Sequence, residues 1–141
     1  MKAKEFGRYA GVAVKNGDKI LLCKRNSHQS FPGMWSIPAG SIEDGEDAKE
    51  AAYREFYEET DIKLDGGLSF CGVVPRMNRD NDELKGMMYV YKYNTKDEIT
   101  PDLENAKDGE EHTECGYFSL EECSDEKCGR ELYKLIQVLL K

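Results

Sequence analysis

Between Gly40 and Ile62 the chain carries Arg54-Glu55-Phe56-Tyr57-Glu58-Glu59, three carboxylates at relative positions 0, 3 and 4. On a helix these positions are neighbours on one face, and like charges there repel by roughly 0.2–0.5 kcal/mol per pair. Glu58 and Glu59 also fall near the expected C-terminal end of that helix, where the macrodipole disfavours anions. Helix stability alone does not select this arrangement. A divalent cation would turn the repulsion into attraction, because hard cations such as Mg²⁺ take carboxylate oxygens.

The face matters as much as the charge. Followed backwards from Glu59, the stripe runs through Glu55, Ala52 or Ala51, and Ala48. Small apolar residues in that register are expected to face the protein body, so the carboxylates continue a buried stripe rather than a watery one. A solvated acidic face is the commoner meaning of a Glu cluster. Carboxylates aimed into a cleft, however, need a partner, since an unpaired buried charge is costly. The stripe therefore favours a metal site.

Read outward, the pattern is Gly40, five residues, Glu46, seven residues, then Arg54 through Ile62. It resembles the signature box of the Nudix hydrolase family at the same spacings, with Asp61 in place of the family's late Gly. That Gly ends the helix in a left-handed turn, a conformation Asp tolerates, so the departure touches little chemistry. The box covers about a sixth of the chain. The resemblance implies an α/β fold of the Nudix type: an α/β/α sandwich with a mixed sheet, a loop-helix-loop catalytic box, and one domain over residues 1–141.

Composition fits without deciding. The 141 residues are enough for one domain with a sizeable core. A formal net charge of −8 argues against a nonspecific nucleic-acid binder, but not against a small polyanion whose charge a metal neutralises. No apolar run is long enough to span a membrane, and Met1–Phe6 lacks the apolar stretch of a signal peptide, so a cytoplasmic location is expected. Cys23, Cys71, Cys115, Cys123 and Cys128 are odd in number and scattered, and are expected to be reduced and partly buried. Cys123 and Cys128 lack the second pair a zinc site needs.

Along the chain the order alternates. Strands are expected at Tyr9–Val14 and Lys19–Arg25 around the turn signal Asn16-Gly17-Asp18. Asn26–Gly33 reads as turns and Met34–Ile37 as a short strand halted by Pro38. Ala39–Gly45 is a loop into the box helix, with Asp44 and Asp47 as candidate N-caps. Further strands are expected near Leu68–Pro75, Met87–Tyr93 and Cys115–Ser119. Asn94–Thr113 is long and polar, a length that is usually functional or disordered. Arg130–Leu140 places Leu132, Leu135, Ile136, Val138 and Leu139 at helical spacing.

Hydrolysis of a pyrophosphate needs its charges neutralised, a water activated and the leaving phosphate stabilised, and divalent metals do all three. Glu58 and Glu59 are the first-choice ligands, with Glu55 third. The resemblance implies Mg²⁺ or Mn²⁺ at these positions, with Glu55 as an alternative base. It also implies that Arg54, together with Glu46, orients the box carboxylates, whereas on spacing alone Arg54 is a surface residue paired with Glu50 or Glu58. Gly40 permits positive φ or close backbone approach, or simply serves a turn. The family often brings a further acid from the loop before the last strand. Glu104, Glu110, Glu111 and Glu114 are candidates, with Glu111 preferred and a solvated loop Glu at least as common. His112 reads as an incidental loop residue or an acid–base group.

On the substrate side, Arg25 is placed to reach a phosphate, and Trp35 or Phe31 to stack on a base, although Trp35 reads more readily as core. The segment Cys71–Arg79 is expected to bear on substrate choice. Ala39 in Pro38-Ala39-Gly40 is a variant associated within the family with ADP-ribose-like substrates. The expected activity is hydrolysis of a nucleoside diphosphate linked to another moiety, with ADP-ribose or a dinucleotide favoured. The alternatives are a nucleoside triphosphate pyrophosphatase and, from another class, a non-catalytic nucleotide-binding module. The expected partner is a small nucleotide, with no nucleic-acid polymer and no membrane, and a homodimer as an open option.

Overall fold

The computed structural model describes residues 6–29, 31–77 and 81–141. Strand β1 (Gly7–Asn16) turns through Gly17 and Asp18 into β2 (Lys19–Arg25), with Lys15 opposite Ile20 and Asn16 opposite Lys19. Gly17 takes φ 60°, which this tight turn requires and glycine adopts without strain. Strand β3 (Trp35–Ser36) pairs with β2, and β4 (Ala39–Ser41) returns to β1 opposite Tyr9–Gly11. Strand β5 (Ser69–Met77) is antiparallel to β6 (Leu84–Asn94), and β6 runs parallel to β1 from Gly7–Gly86 to Lys15–Asn94. Strand β7 (His112–Ser119) lies antiparallel to β2. The result is one mixed sheet in the order β3-β2-β1-β6-β5, with β4 on β1 and β7 on β2. One edge of β1 is shared, taken by β4 near its start and by β2 at its end.

Helices cover both faces. Side chains alternate along a strand, so Val12, Val14 and Leu21 pack on one face against Ala51, Ala52 and Phe56 of helix α1 (Ala48–Thr60). Ala13, Ile20 and Leu22 pack on the other against Leu132 and Ile136 of helix α3 (Arg130–Leu139), which follows the short helix α2 (Asp125–Cys128). Burial on both sides explains why Ala10–Val14 reads as a continuous small-apolar run.

The ends of α1 are set by local chemistry. Asp47, not Asp44, is the N-cap, and its side chain accepts from the Glu50 N–H while Glu50 returns the bond to the Asp47 N–H. Asp61 closes the helix at φ 62°, its N–H donating to the Tyr57 carbonyl, so Asp does here what glycine would do. The long segment between β6 and β7 packs onto the same end. The N–H groups of Asp102 and Asp108 donate to the carbonyls of Thr60 and Glu58, which the last helical turn leaves unpaired.

Two expectations need correction, and two details are added. Ala39–Ser41, expected as loop, is strand β4, because β1 offers a free edge there. Helix α2 went unforeseen. Val138 is 71% exposed and plays no part in the core. Cys23 and Cys115 face each other across the β2–β7 ladder with Cα atoms 4.0 Å apart and are joined as a disulfide, against the expectation of reduced thiols throughout. Cys71, Cys123 and Cys128 are free, the last two buried. Among the described residues, no helix is long and apolar enough to cross a membrane. Met1–Glu5 and Arg79 lie outside the described residues.

Candidate active site

Arg54 organises the acidic end of α1. Its Nε and Nη2 donate to the two Glu46 oxygens at 2.8 and 2.9 Å, and Nη2 also donates to the Ser41 carbonyl at 2.9 Å. Nη1 donates to Glu55 Oε1 at 2.9 Å and to Glu58 Oε1 at 3.0 Å. One guanidinium thus ties the loop before the helix to two box carboxylates, and of the two pairings expected from spacing the one with Glu58 is made. The hydrogen bond from Arg54 holds the Glu46 carboxyl below the usual range. Burial raises Glu55 despite Arg54.

Glu59 points the other way, inward along the stripe begun by Ala51 and Ala52. Its side chain is 1% exposed, and Oε1 lies 2.7 Å from His112 Nε2, itself 1% exposed. His112 is therefore not an incidental loop residue. It opens β7 beneath the box helix. Burial, then the negative charges of Glu111 and Glu55, push the Glu59 carboxyl well above its ordinary value. Burial, then Arg25, lowers His112 to about 4. Both shifts favour the neutral pair. Glu59 Oε2 and His112 Nδ1 are buried without a hydrogen-bond partner among the described residues.

Glu111 ends a single 3₁₀ turn (Gly109–Glu111) just before β7 and lines a polar cavity of about 310 Å³ with Glu55, Gly40 and Asp108. Burial, then Asp108 and Glu55, raises its pKa to about 7. A carboxylate poised there suits proton transfer near neutrality. Asp108, likewise raised by burial and by Glu58, is a further acid that the sequence reading missed. Gly40 has no positive φ; its requirement is space, because a Cβ at this position would overlap the Glu55 carboxylate.

Glu111 gives a stability signature. Its folded pKa of about 7 lies above the 4.5 of an ordinary Glu. Its contribution to stability is fully present below about 4.5 and is lost as pH rises through about 7. In metal-free buffer the melting temperature of wild type is expected to fall between these pH values relative to Glu111→Gln, whose amide does not ionise. Parallel melting curves for the two proteins across that range would refute the assignment.

Arg25, Phe31, Arg76 and Met77 line both this polar cavity and an adjoining, mainly apolar one of about 270 Å³ that includes Trp35, Met34 and Met88. Phe31 holds φ 53°, unusual for a bulky residue. Trp35 packs edge-on against Phe118 with ring centroids 4.9 Å apart, so it serves the core and the cavity wall together. Of the expected site residues, Glu55, Glu111, Gly40 and Arg25 line the polar cavity, Glu59 lies buried behind it, Arg54 and Glu58 flank it, and Trp35 belongs to the apolar one. Glu104, Glu110 and Glu114 do not line either cavity.

The donor set suits a hard divalent cation. Burial raises Glu55, Glu59 and Glu111 alike; the charges of Glu111 and Glu55 add to it at Glu59, that of Glu58 at Glu55, and those of Asp108 and Glu55 at Glu111, while Glu59 Oε2 is a buried oxygen without a hydrogen-bond partner among the described residues. Among the described residues no three ligating side chains stand close enough together to hold an ion as arranged. Arg54 supplies the positive charge to Glu55 and Glu58 instead.

Comparison with known proteins agrees with the geometry. A family model described as NUDIX domain matches residues 5–138. An RNA pyrophosphohydrolase of Pelagibacter ubique is 44% identical over 54 residues, 38% of this chain and 33% of that protein. Nucleoside triphosphatase NudI of an Enterobacter species is 37% identical over 73 residues, 51% of this chain and 49% of that protein. The chain spans no more than about half the length of these curated relatives. The crystal structure of a MutT NUDIX hydrolase from Burkholderia pseudomallei superposes with a TM-score of 0.76 at 25% identity, covering 95% of this chain and 98% of the other.

Proposed function

Because the chain belongs to the NUDIX family, we propose that it hydrolyses a pyrophosphate bond in a nucleoside diphosphate linked to another moiety, with ADP-ribose or a dinucleotide favoured. One observation carries the reading. Half-buried Glu55 and Glu111, the latter raised by burial and then by its acidic neighbours, line a polar cavity that adjoins an apolar one, with buried Glu59 behind them. That sequence of surfaces suits a phosphate chain followed by a nucleoside. Glu55, Glu58 and Glu59 would hold Mg²⁺ or Mn²⁺, which neutralises the phosphates and lowers the pKa of a bound water. Arg54 holds Glu55 and Glu58 in register, and His112 fixes Glu59. Glu111, at the cavity wall with a pKa raised to about 7, would accept a proton from the attacking water. Mutually repelling carboxylates are of no use to a non-catalytic binding module, which speaks against that alternative.

The preference for a linked diphosphate rests on Pro38-Ala39-Gly40. Similarity to NudI favours the second reading, a nucleoside triphosphate pyrophosphatase using the same residues. A panel of ADP-ribose, dinucleotides, nucleoside triphosphates and 5′-triphosphorylated RNA, incubated with Mg²⁺ in ¹⁸O-water and read by product mass, separates them. We expect label on a phosphate product, the highest kcat/KM for a linked diphosphate, and no turnover in EDTA. A triphosphate favoured by about tenfold or more would install the second reading. Full turnover in EDTA would remove the metal from both.

A further inference from the structure

The acids form one side of the polar cavity, and cations that are no part of the box form another. Arg76 on β5 and Arg25 at the end of β2 sit where the polar and apolar cavities meet, and Lys85 joins them on the polar side. The Arg76 guanidinium lies over the Tyr9 ring, 4.6 Å from its centroid. Burial and then the neighbouring Arg25 charge hold Arg76 below the usual arginine value. Among the described residues no carboxylate stands within ion-pair distance of Arg76. Two guanidinium groups at the junction of the two cavities, one of them half-buried, form a site that a phosphate oxygen would stabilise. Of the box carboxylates, Glu55 and Glu58 are engaged by Arg54, and Glu111 across the polar cavity interacts with Arg25.

We infer that Arg76, together with Arg25, binds the phosphate of the nucleoside 5′-monophosphate portion of the substrate, with the nucleoside in the apolar cavity, and that it does so without a divalent cation. The assignment rests on the reading of the substrate as a nucleotide. The geometry separates two duties. Phosphate oxygens at the reacting bond face the box acids and their metal. The retained phosphate faces guanidinium groups, whose planar forks match its oxygens. The mononucleotide product would then bind metal-free protein at the same place.

Titration calorimetry in EDTA with AMP, GMP, adenosine, guanosine and inorganic phosphate tests this. A mononucleotide is expected to bind at least about tenfold more tightly than its nucleoside or inorganic phosphate, the size of one charge-assisted bond. Arg76→Gln is expected to bring the mononucleotide to the level of the nucleoside. The same variant is expected to melt close to wild type without ligand, because it loses the contact with the Tyr9 ring but also a like-charge contact with Arg25. Phenylglyoxal labelling of wild type, followed peptide by peptide, needs no variant, and mononucleotide is expected to slow modification of Arg76 several-fold. Wild-type mononucleotide affinity in Arg76→Gln, or labelling indifferent to nucleotide, overturns the arginine assignment. Inorganic phosphate binding as tightly as mononucleotide overturns the placement of the nucleoside. If no nucleotide is hydrolysed but mononucleotide still binds through Arg76, the binding site stands and the hydrolase reading falls.

Discussion

Glu59→Gln is expected to keep the fold and lose catalysis, with kcat falling by at least about 100-fold, the size seen when one preorganised electrostatic contact is removed. The glutamine amide fills the same volume and still has a donor for His112 Nε2, which Glu59 meets at 2.7 Å. It also removes a carboxylate that burial and two acidic neighbours already oppose. Apo stability is therefore expected to hold or rise. Thermal melting in EDTA and single-turnover hydrolysis with Mg²⁺ provide the check. A variant that melts far lower without metal would show that the carboxylate serves the fold. Wild-type turnover would mean that the metal has other ligands.

Gly40→Ala is expected to separate stability from activity more sharply. Glycine here is in a strand with an ordinary φ, so alanine brings no backbone strain and stiffens the unfolded chain by about 0.4–1 kcal/mol in favour of folding. The added methyl nevertheless falls on the Glu55 carboxylate, the far end of a flexible side chain, which must swing away. A misplacement of about 1 Å in a catalytic group can cost on the order of 100-fold in rate. The expected result is a melting temperature equal to or above wild type with hydrolysis reduced by roughly that factor. Unimpaired turnover would show that Glu55 has no fixed position in the reaction. Collapse of the fold would show that β4 cannot accept even a methyl.

What the sequence made legible was mainly local. The Asp47–Glu50 cap, the Asp61 terminus and the inward stripe ending at Glu59 are properties of a single helix, visible in residue type and spacing. The edges of β2 were equally clear, because a glycine turn and a change of composition mark them. The misreadings involve partners brought from afar. His112 looked idle because Glu59 is 53 residues away. Cys23 and Cys115 looked scattered because strand pairing aligns them across a separation of 92 residues. Ala39–Ser41 carries no strand composition of its own and becomes one only because β1 leaves an edge open to it. Arg76 lies in the segment Cys71–Arg79 that the sequence marks as bearing on substrate choice, but nothing local singles it out; its significance comes from sharing a cavity with Arg25.

The parallel pairing of β1 with β6 has a consequence for how the molecule is made. Gly7 lies beside Gly86 and Lys15 beside Asn94, so the centre of the sheet joins segments that leave the ribosome far apart in time. An emerging chain can close the β1–β2 hairpin and wind the box helix early. Until β6 appears, however, one side of β1 has no neighbour, and β2 waits longer still for β7. Nonlocal pairings of this kind form slowly and leave bare strand edges exposed meanwhile. The box helix is thus complete in sequence long before the strands that shape its pocket. Nascent chains stalled between residues 60 and 84 should be the ones most in need of a chaperone.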